Sequence, residues 1–196
     1  MMLDAILFSL ALAYQYRTIQ EEKVRAEAIA RIDPLTGLNN RRAFYEVSKP
    51  YWNATVRKNR DASVILLDVD HFKRINDTYG HDKGDRVLVA IAVVLAQSAR
   101  ESDVVARWGG EEFILFLPET SRAEAALTAE RLRVAIAQAS VEMTNESISF
   151  TASFGVAQRS VTTTTIDDLI AQADKLLYFA KSTGRNKVSA STNWNE

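Results

Sequence analysis

The sequence contains no cysteine, which rules out disulfides, thiolate nucleophiles and thiolate metal sites. Histidine is almost as scarce: His71 and His81 are the only two in 196 residues, too few for a histidine-rich zinc site. A metal must therefore rest on carboxylates, a donor set that suits Mg²⁺ or Mn²⁺. An excess of charge is also missing, with 24 Lys and Arg against 25 Asp and Glu. No global field pulls the chain onto nucleic acid or an anionic membrane, and any polyanion it binds must be gripped locally. Nor is there an apolar run long enough to cross a bilayer. The longest candidate, Ala5 to Tyr16 (AILFSLALAYQY), falls short of the ~20 residues a span requires. It reads as the end of a membrane helix, an interfacial segment or a helix that packs on a partner. No basic stretch precedes it, so nothing in it favours a cleaved signal peptide. Internal repeats and low-complexity tracts are absent, and Thr162 to Thr165 reads as loop.

What is present is 47% hydrophobic and 25% charged residues, enough to bury one substantial core with an appended segment. From Leu3 to Ile32 no Pro or Gly interrupts the chain, and Glu21 with Arg25 and Glu27 with Arg31 form favourable i,i+4 pairs. This predicts one long helix, either a solvated connector or a parallel dimer stalk, ending at Asp33-Pro34. Arg42 to Asn59 reads as a second helix, and Ser63 to Leu67 (SVILL) as a buried strand. Val87, Leu88, Ile91, Val94 and Leu95 place one apolar stripe on a helix from about Asp82 to Ala99.

VVARW and FILFLP, separated by Gly109-Gly110 and two glutamates, predict a hairpin. Capping-box patterns at Ser121/Glu124 and Thr165/Asp168 open two further helices, the second ended at Gly184. ISFTASFGVAQ alternates as one strand, and KVSA is a short last one. Strands interrupted irregularly by helices, with at least one hairpin, predict an α/β (α+β) fold with a mixed, helix-covered sheet.

Two segments carry chemistry. Asp68 to Asp85 (DVDHFKRINDTYGHDKGD) begins where the apolar strand ends, and Asp68 and Asp70, two apart on extended backbone, share a face and can approach one hard cation. In VVARWGGEEFILFLP, a Gly-Gly turn presents Glu111 and Glu112 at the mouth of the hairpin. Alone, GGEE is a hairpin tip with solvated acids. If the hairpin lies beside the strand ending at Asp68, however, three or four carboxylates converge, an arrangement suited to phosphoryl transfer.

These segments, with DPLTGLNNRR, TASFG and ADKLLYFAKSTGRNKV in the same order and spacing, make the chain resemble the GGDEF family of diguanylate cyclases over roughly Asp33 to Ala190. The resemblance implies a nucleotidyl-cyclase palm, a mixed and mostly antiparallel five-stranded sheet wrapped by helices. It also implies condensation of two GTP into cyclic di-GMP with release of two pyrophosphates. By resemblance, Asp68 and Glu111 hold Mg²⁺ (or Mn²⁺) with the Val69 carbonyl, and Glu112 completes a second metal site. Either glutamate can assist deprotonation of the ribose 3′-hydroxyl, with Glu111 preferred.

Asn76 and Asp85 match the guanine-reading pair, and His81 is a ligand or a structural histidine. The His71 and Phe72 loop amides, with Lys73, Gly109, Gly110, Lys181 and Arg185, surround the triphosphate. Arg100 and Asp103, spelling RxxD five residues before Gly109, match the family's product-inhibition site, and Arg131 aligns with its secondary arginine. Each subunit carries one GTP, so a homodimer is expected to act, controlled by its own product and not by nucleic acid.

The expected layout is a connector helix at 1–32, a catalytic domain at 33–190 and a frayed tail at 191–196. No phosphodiesterase domain fits in the remaining length and no recognisable sensor precedes the catalytic unit. The domain is expected in the cytoplasm, with the N-terminus as a membrane tether. The non-catalytic alternative is a module that binds GTP or cyclic di-GMP for signalling.

Overall fold

The computed structural model describes residues 12–18, 20, 31–142, 147–160 and 162–190. The chain divides into two units, Met1–Arg31 and Ile32–Glu196. In the first, residues 12–18 and 20 are helical. The remainder of the predicted N-terminal helix up to residue 30 lies outside the described residues, as does the tail at 191–196. Ile32 does not belong to that helix, because it forms an antiparallel bridge with Asn39. Among the described residues no helix is long and apolar enough to cross a membrane.

The second unit is built on β1 (Ala62–Val69), every residue of which is buried. Such a strand must be covered on both faces and paired on both edges. It pairs antiparallel with β3 (Glu112–Pro118) and with β6 (Ala152–Gln158). β2 (Val104–Gly109) extends the sheet beyond β3, and β7 (Val188–Ser189) runs parallel to β6, giving the order β2-β3-β1-β6-β7. The expected mixed, mostly antiparallel five-stranded sheet is therefore present.

The two-residue period of β1 divides the core. Ile65, Leu67 and Val69 meet Val87, Leu88, Ile91 and Leu95 of α3 (His81–Ser98) and Leu132 and Ile136 of α4 (Arg122–Gln138). Val64 and Leu66 belong to the opposite cluster, with Phe44 and Trp52 of α1 (Arg41–Lys58) and Leu169 and Leu177 of α5 (Ile166–Ser182). Both predicted capping boxes form, at Ser121/Glu124 and Thr165/Asp168.

Two expectations need correction. His71 and Phe72 are not in an open loop: His71 is left-handed (φ 57°) and Phe72 begins a short helix, α2 (Phe72–Tyr79). ISFTASFGVAQ is not one strand either. Its first residues lie in β5 (Ser147–Ser149), which pairs with β4 (Ser140–Glu142) in a separate two-stranded sheet. The break falls at Phe150, which is buried in the core, and at Thr151, whose carbonyl accepts from the Asp70 amide beyond the end of β1. Alternating polarity continues through the break, so periodicity alone could not locate it.

Gly155 of β6 lies directly beneath α5. A Cβ there would come within 2.0 Å of the Ala173 carbonyl oxygen and 2.4 Å of the Leu177 nitrogen. Both are backbone atoms and cannot rotate away. Gly155→Ala is therefore expected to cost about 3 kcal/mol by overpacking, lowering Tm by roughly 6–12 °C. Thermal unfolding followed by circular dichroism measures this, and an unchanged Tm would contradict the packing.

Candidate active site

The end of β1 and the mouth of the β2–β3 hairpin meet as the sequence anticipates. Asp68 is the register partner of Glu112, and the Val69 amide donates to the Glu111 carbonyl at 3.3 Å. The Asp68 side chain is only 7% exposed, and the Lys181 ammonium from the end of α5 pairs with it at 2.7 Å. Burial raises the pKa of Asp68 against the pull of Lys181, and neighbouring Asp70 pushes it further. Glu111 is raised by burial and then by the charges of Asp68 and Glu112, and Glu112 by burial and then by Asp68 and Asp174. The three acids thus repel one another in a place where solvent screens them poorly.

Convergence is nonetheless incomplete. Among the described residues no group of three acidic or histidine side chains is close enough to hold one ion. Lys181 already occupies Asp68 Oδ2. The donor set still fits a hard divalent cation, since it is all oxygen, partly desolvated and short of positive charge.

Asp70 shares the face of Asp68 but is held by three hydrogen bonds. Its carboxylate accepts from the Thr151 and Ser153 hydroxyls, each at 2.7 Å, and from the Asn186 amide at 3.0 Å. In this structure it acts as a brace. What it braces is the loop after α5: Arg185 and Asn186 are both left-handed, at φ 59° and 44°. Arg185 N–H donates to the Ala180 carbonyl at 3.0 Å, and Arg133 of α4 donates to Asn186 Oδ1 at 2.9 Å. Two consecutive non-glycine residues in this region persist only when their surroundings hold them there.

The Gly109-Gly110 turn is held by Arg107, to which sequence reasoning gave no role. Its Nε and one terminal nitrogen donate to the Gly110 carbonyl at 3.0 and 2.8 Å, while the other nitrogen reaches both Asp33 oxygens at 3.2 Å. Asp33 also accepts from the Thr36 amide and hydroxyl. Burial pushes the Asp33 carboxyl up, but the Thr36 hydrogen bonds and the Arg107 guanidinium outweigh it and hold the pKa below the ordinary value. Asn39 completes the strap, donating from its side chain to the Val105 carbonyl and accepting the Arg107 amide. The segment DPLTGLNNRR therefore fastens the hairpin that carries Glu111 and Glu112. Arg41 adds a cation–π contact 4.3 Å over the Trp108 ring.

The nucleotide-side candidates lie around α2 and α3. His71 and Phe72 stand at the α2 N-terminus, Lys73 is exposed beside them, and Asn76 lies one turn on. His81 and Asp85 are exposed in the first turns of α3. Asn76 Oδ1 is buried and accepts no hydrogen bond.

The RxxD candidates gather elsewhere. Arg100, Asp103 and Arg131 line one recess with Ser98, Leu117, Thr120 and Thr128. Asp103 Oδ2 already accepts the Arg100 amide at 2.8 Å. This recess adjoins the start of β2, whereas the Gly-Gly turn is at its end, about 17 Å away along an extended strand.

A family model described as "Diguanylate cyclase, GGDEF domain" matches residues 30–187. Diguanylate cyclase DgcM of Escherichia coli is 45% identical over 164 residues, covering 84% of this chain and 39% of that protein. This chain thus spans well under half the length of that relative. Response regulator PleD of Caulobacter vibrioides is 38% identical over 162 residues, 82% of this chain and 36% of its own length. Among solved structures, the GGDEF domain of DgcB from Caulobacter crescentus in complex with c-di-GMP superposes with a TM-score of 0.79 at 34% identity, covering 83% of this chain and 94% of that one. With its strand order, its acid-bearing hairpin and a match over more than half its length, this chain belongs to the GGDEF domain family of diguanylate cyclases.

Proposed function

We propose that this chain is an active diguanylate cyclase that condenses two GTP into cyclic di-GMP and two pyrophosphates. The observation that carries this reading is the set of three mutually repelling, partly desolvated carboxylates at one sheet end, opposed by Lys181. Such a charge arrangement is costly for a module that only binds, and is useful where cations and a triphosphate must be held together. Asp68, the Val69 carbonyl, Glu111 and Glu112 are the residues that would hold Mg²⁺, or Mn²⁺ in its place. Bound there, the ion would neutralise triphosphate charge and polarise the α-phosphate.

The rest falls to the chain itself. Asn76 and Asp85 take the guanine edge, and His81 lies beside them. The amides of His71 and Phe72, with Lys73, Lys181 and Arg185, hold the phosphates, and Gly109 and Gly110 let the backbone approach the nucleotide. Glu111 accepts the proton of the 3′-hydroxyl as its oxygen attacks the α-phosphorus of the other GTP and pyrophosphate leaves. Glu112 beside it is the alternative acceptor. Each phosphodiester needs a nucleophile from one GTP and a phosphorus from another, so two chains act face to face as a homodimer. The N-terminal segment is read as the connector, and as a membrane tether, that sets their separation.

Incubating a forced dimer with GTP and Mg²⁺ and resolving the products by chromatography tests the proposal. Cyclic di-GMP is expected, and its absence would overturn the activity.

Arg100, Asp103 and Arg131 are read as a product site, since a guanidinium grips a guanine edge or phosphate while a carboxylate accepts guanine hydrogens. The c-di-GMP complex of the DgcB domain supports the choice of ligand. Arg100→Ala is expected to raise the concentration of added cyclic di-GMP needed for half-inhibition at least tenfold, roughly the loss of one charge-assisted hydrogen bond. Inhibition unchanged in the variant would refute the assignment.

A further inference from the structure

α2 turns back into α3 at Gly80, whose amide donates to the Asn76 carbonyl at 2.8 Å, and the Gly84 amide donates in turn to the Gly80 carbonyl at 3.2 Å. Asn76 is thereby carried against the first turns of α3. The residue it meets there is Gly84, a buried glycine inside a helix, where alanine would be the better helix former. Space accounts for the choice. A Cβ at position 84 would come within 1.8 Å of Asn76 Oδ1, 3.0 Å of Asn76 Cγ and 3.2 Å of Phe72 Cζ. The Phe72 contact can relax, but the Asn76 contact cannot persist. The same Oδ1 is the atom that is buried without a hydrogen-bond partner. Buried amide oxygens are nearly always partnered, so this carboxamide gains no hydrogen bond within the fold from its place against α3.

We propose that Gly84 is a specificity-determining positioning residue: by lacking a Cβ it lets the Asn76 carboxamide lie against α3, beside Asp85, where the two side chains address one purine edge together. The inference rests on the guanine reading of Asn76 and Asp85 given above. Gly84→Ala drives the carboxamide into another rotamer and breaks the pair, although the added methyl group itself touches no nucleotide.

The test uses the full chain and 3′-deoxy-GTP and 3′-deoxy-ATP, which lack the attacking hydroxyl, so affinity is measured by calorimetry without turnover. Gly84→Ala is expected to weaken 3′-deoxy-GTP by roughly tenfold or more, the equivalent of one base-reading hydrogen bond. Its preference over 3′-deoxy-ATP should narrow by a similar factor. Asn76→Ala should do the same, and the double variant should be no worse than either single one, because truncating Asn76 frees the space the new Cβ needs. Wild-type affinity and preference in Gly84→Ala, beside an impaired Asn76→Ala, would overturn the role of Gly84 alone. Losses that multiply in the double variant would also overturn it. An unimpaired Asn76→Ala would overturn the guanine reading and the role of Gly84 with it. If Gly84→Ala does not fold by circular dichroism, the double variant must recover the fold and bind as Asn76→Ala does, and a double variant that stays unfolded would overturn the proposal.

Discussion

Asp68→Asn is expected to reduce cyclic di-GMP formation by roughly a thousandfold, equivalent to about 4 kcal/mol of lost transition-state stabilisation. The variant keeps the volume and the backbone register with Glu112 and Ser153, so the sheet has no reason to rearrange. It removes the most buried of the three acids, the one whose charge raises both Glu111 and Glu112. Their pKa values should therefore fall toward the ordinary range, and the metal-free fold should lose little stability. Lys181 loses its partner but is already a third exposed and can turn to solvent. Single-turnover assays with Mg²⁺, paired with metal-free thermal unfolding, measure both halves. A normally active variant would remove Asp68 from the metal site, and a large drop in Tm would make it a structural residue.

Local signals made much of the fold legible. The apolar run at β1, the Gly-Gly hairpin and the two capping boxes are each encoded within a few residues, and the structure contains all of them. The features that escaped join distant parts of the chain. The Arg107–Asp33 pair spans 74 positions, and the bond from Asn186 to Asp70 spans 116. Asp33, Arg107 and Asp70 lie inside segments that sequence reading singled out, but which partner each charge takes is decided by the fold. The separation of β5 from β6 escaped for a related reason: β5 pairs with β4 and β6 with β1, while the polar–apolar alternation runs on through both.

Within the site, the condition the sequence left open, that the hairpin lies beside the strand ending at Asp68, is met. The sequence did not indicate that Lys181 would pair with Asp68. In the proposed mechanism that contact gives Lys181 two successive partners. Without nucleotide, Lys181 neutralises part of the acid cluster, whereas in the proposed complex it serves a phosphate and the cations take over the acids. One side chain then links substrate binding to metal binding, and neither ligand needs a preformed three-acid cage.

Lys181→Met tests this double duty, because methionine keeps much of the length and removes the charge. The first consequence is on GTP, whose apparent affinity should fall by roughly a hundredfold with the loss of a charge-assisted phosphate contact. The second is on the empty protein. Lys181 lowers the pKa of Asp68, Glu111 and Glu112, so in its absence all three should rise further above their unfolded values. A raised carboxyl binds its proton more tightly in the folded state, so stability falls as pH climbs from the ordinary carboxylate range through the raised folded value. The variant should match the wild type at low pH, where the acids are protonated in both states. It should then fall behind as pH rises, by about 2 kcal/mol near neutrality, below the cost of breaking a fully buried pair because Lys181 is partly exposed. Urea unfolding in metal-free buffer across pH 4 to 8 reads the divergence. Adding Mg²⁺ should narrow it, since the cation replaces the missing charge at the same carboxylates. Parallel stability curves for the two proteins would mean that Lys181 does not hold the acid cluster together.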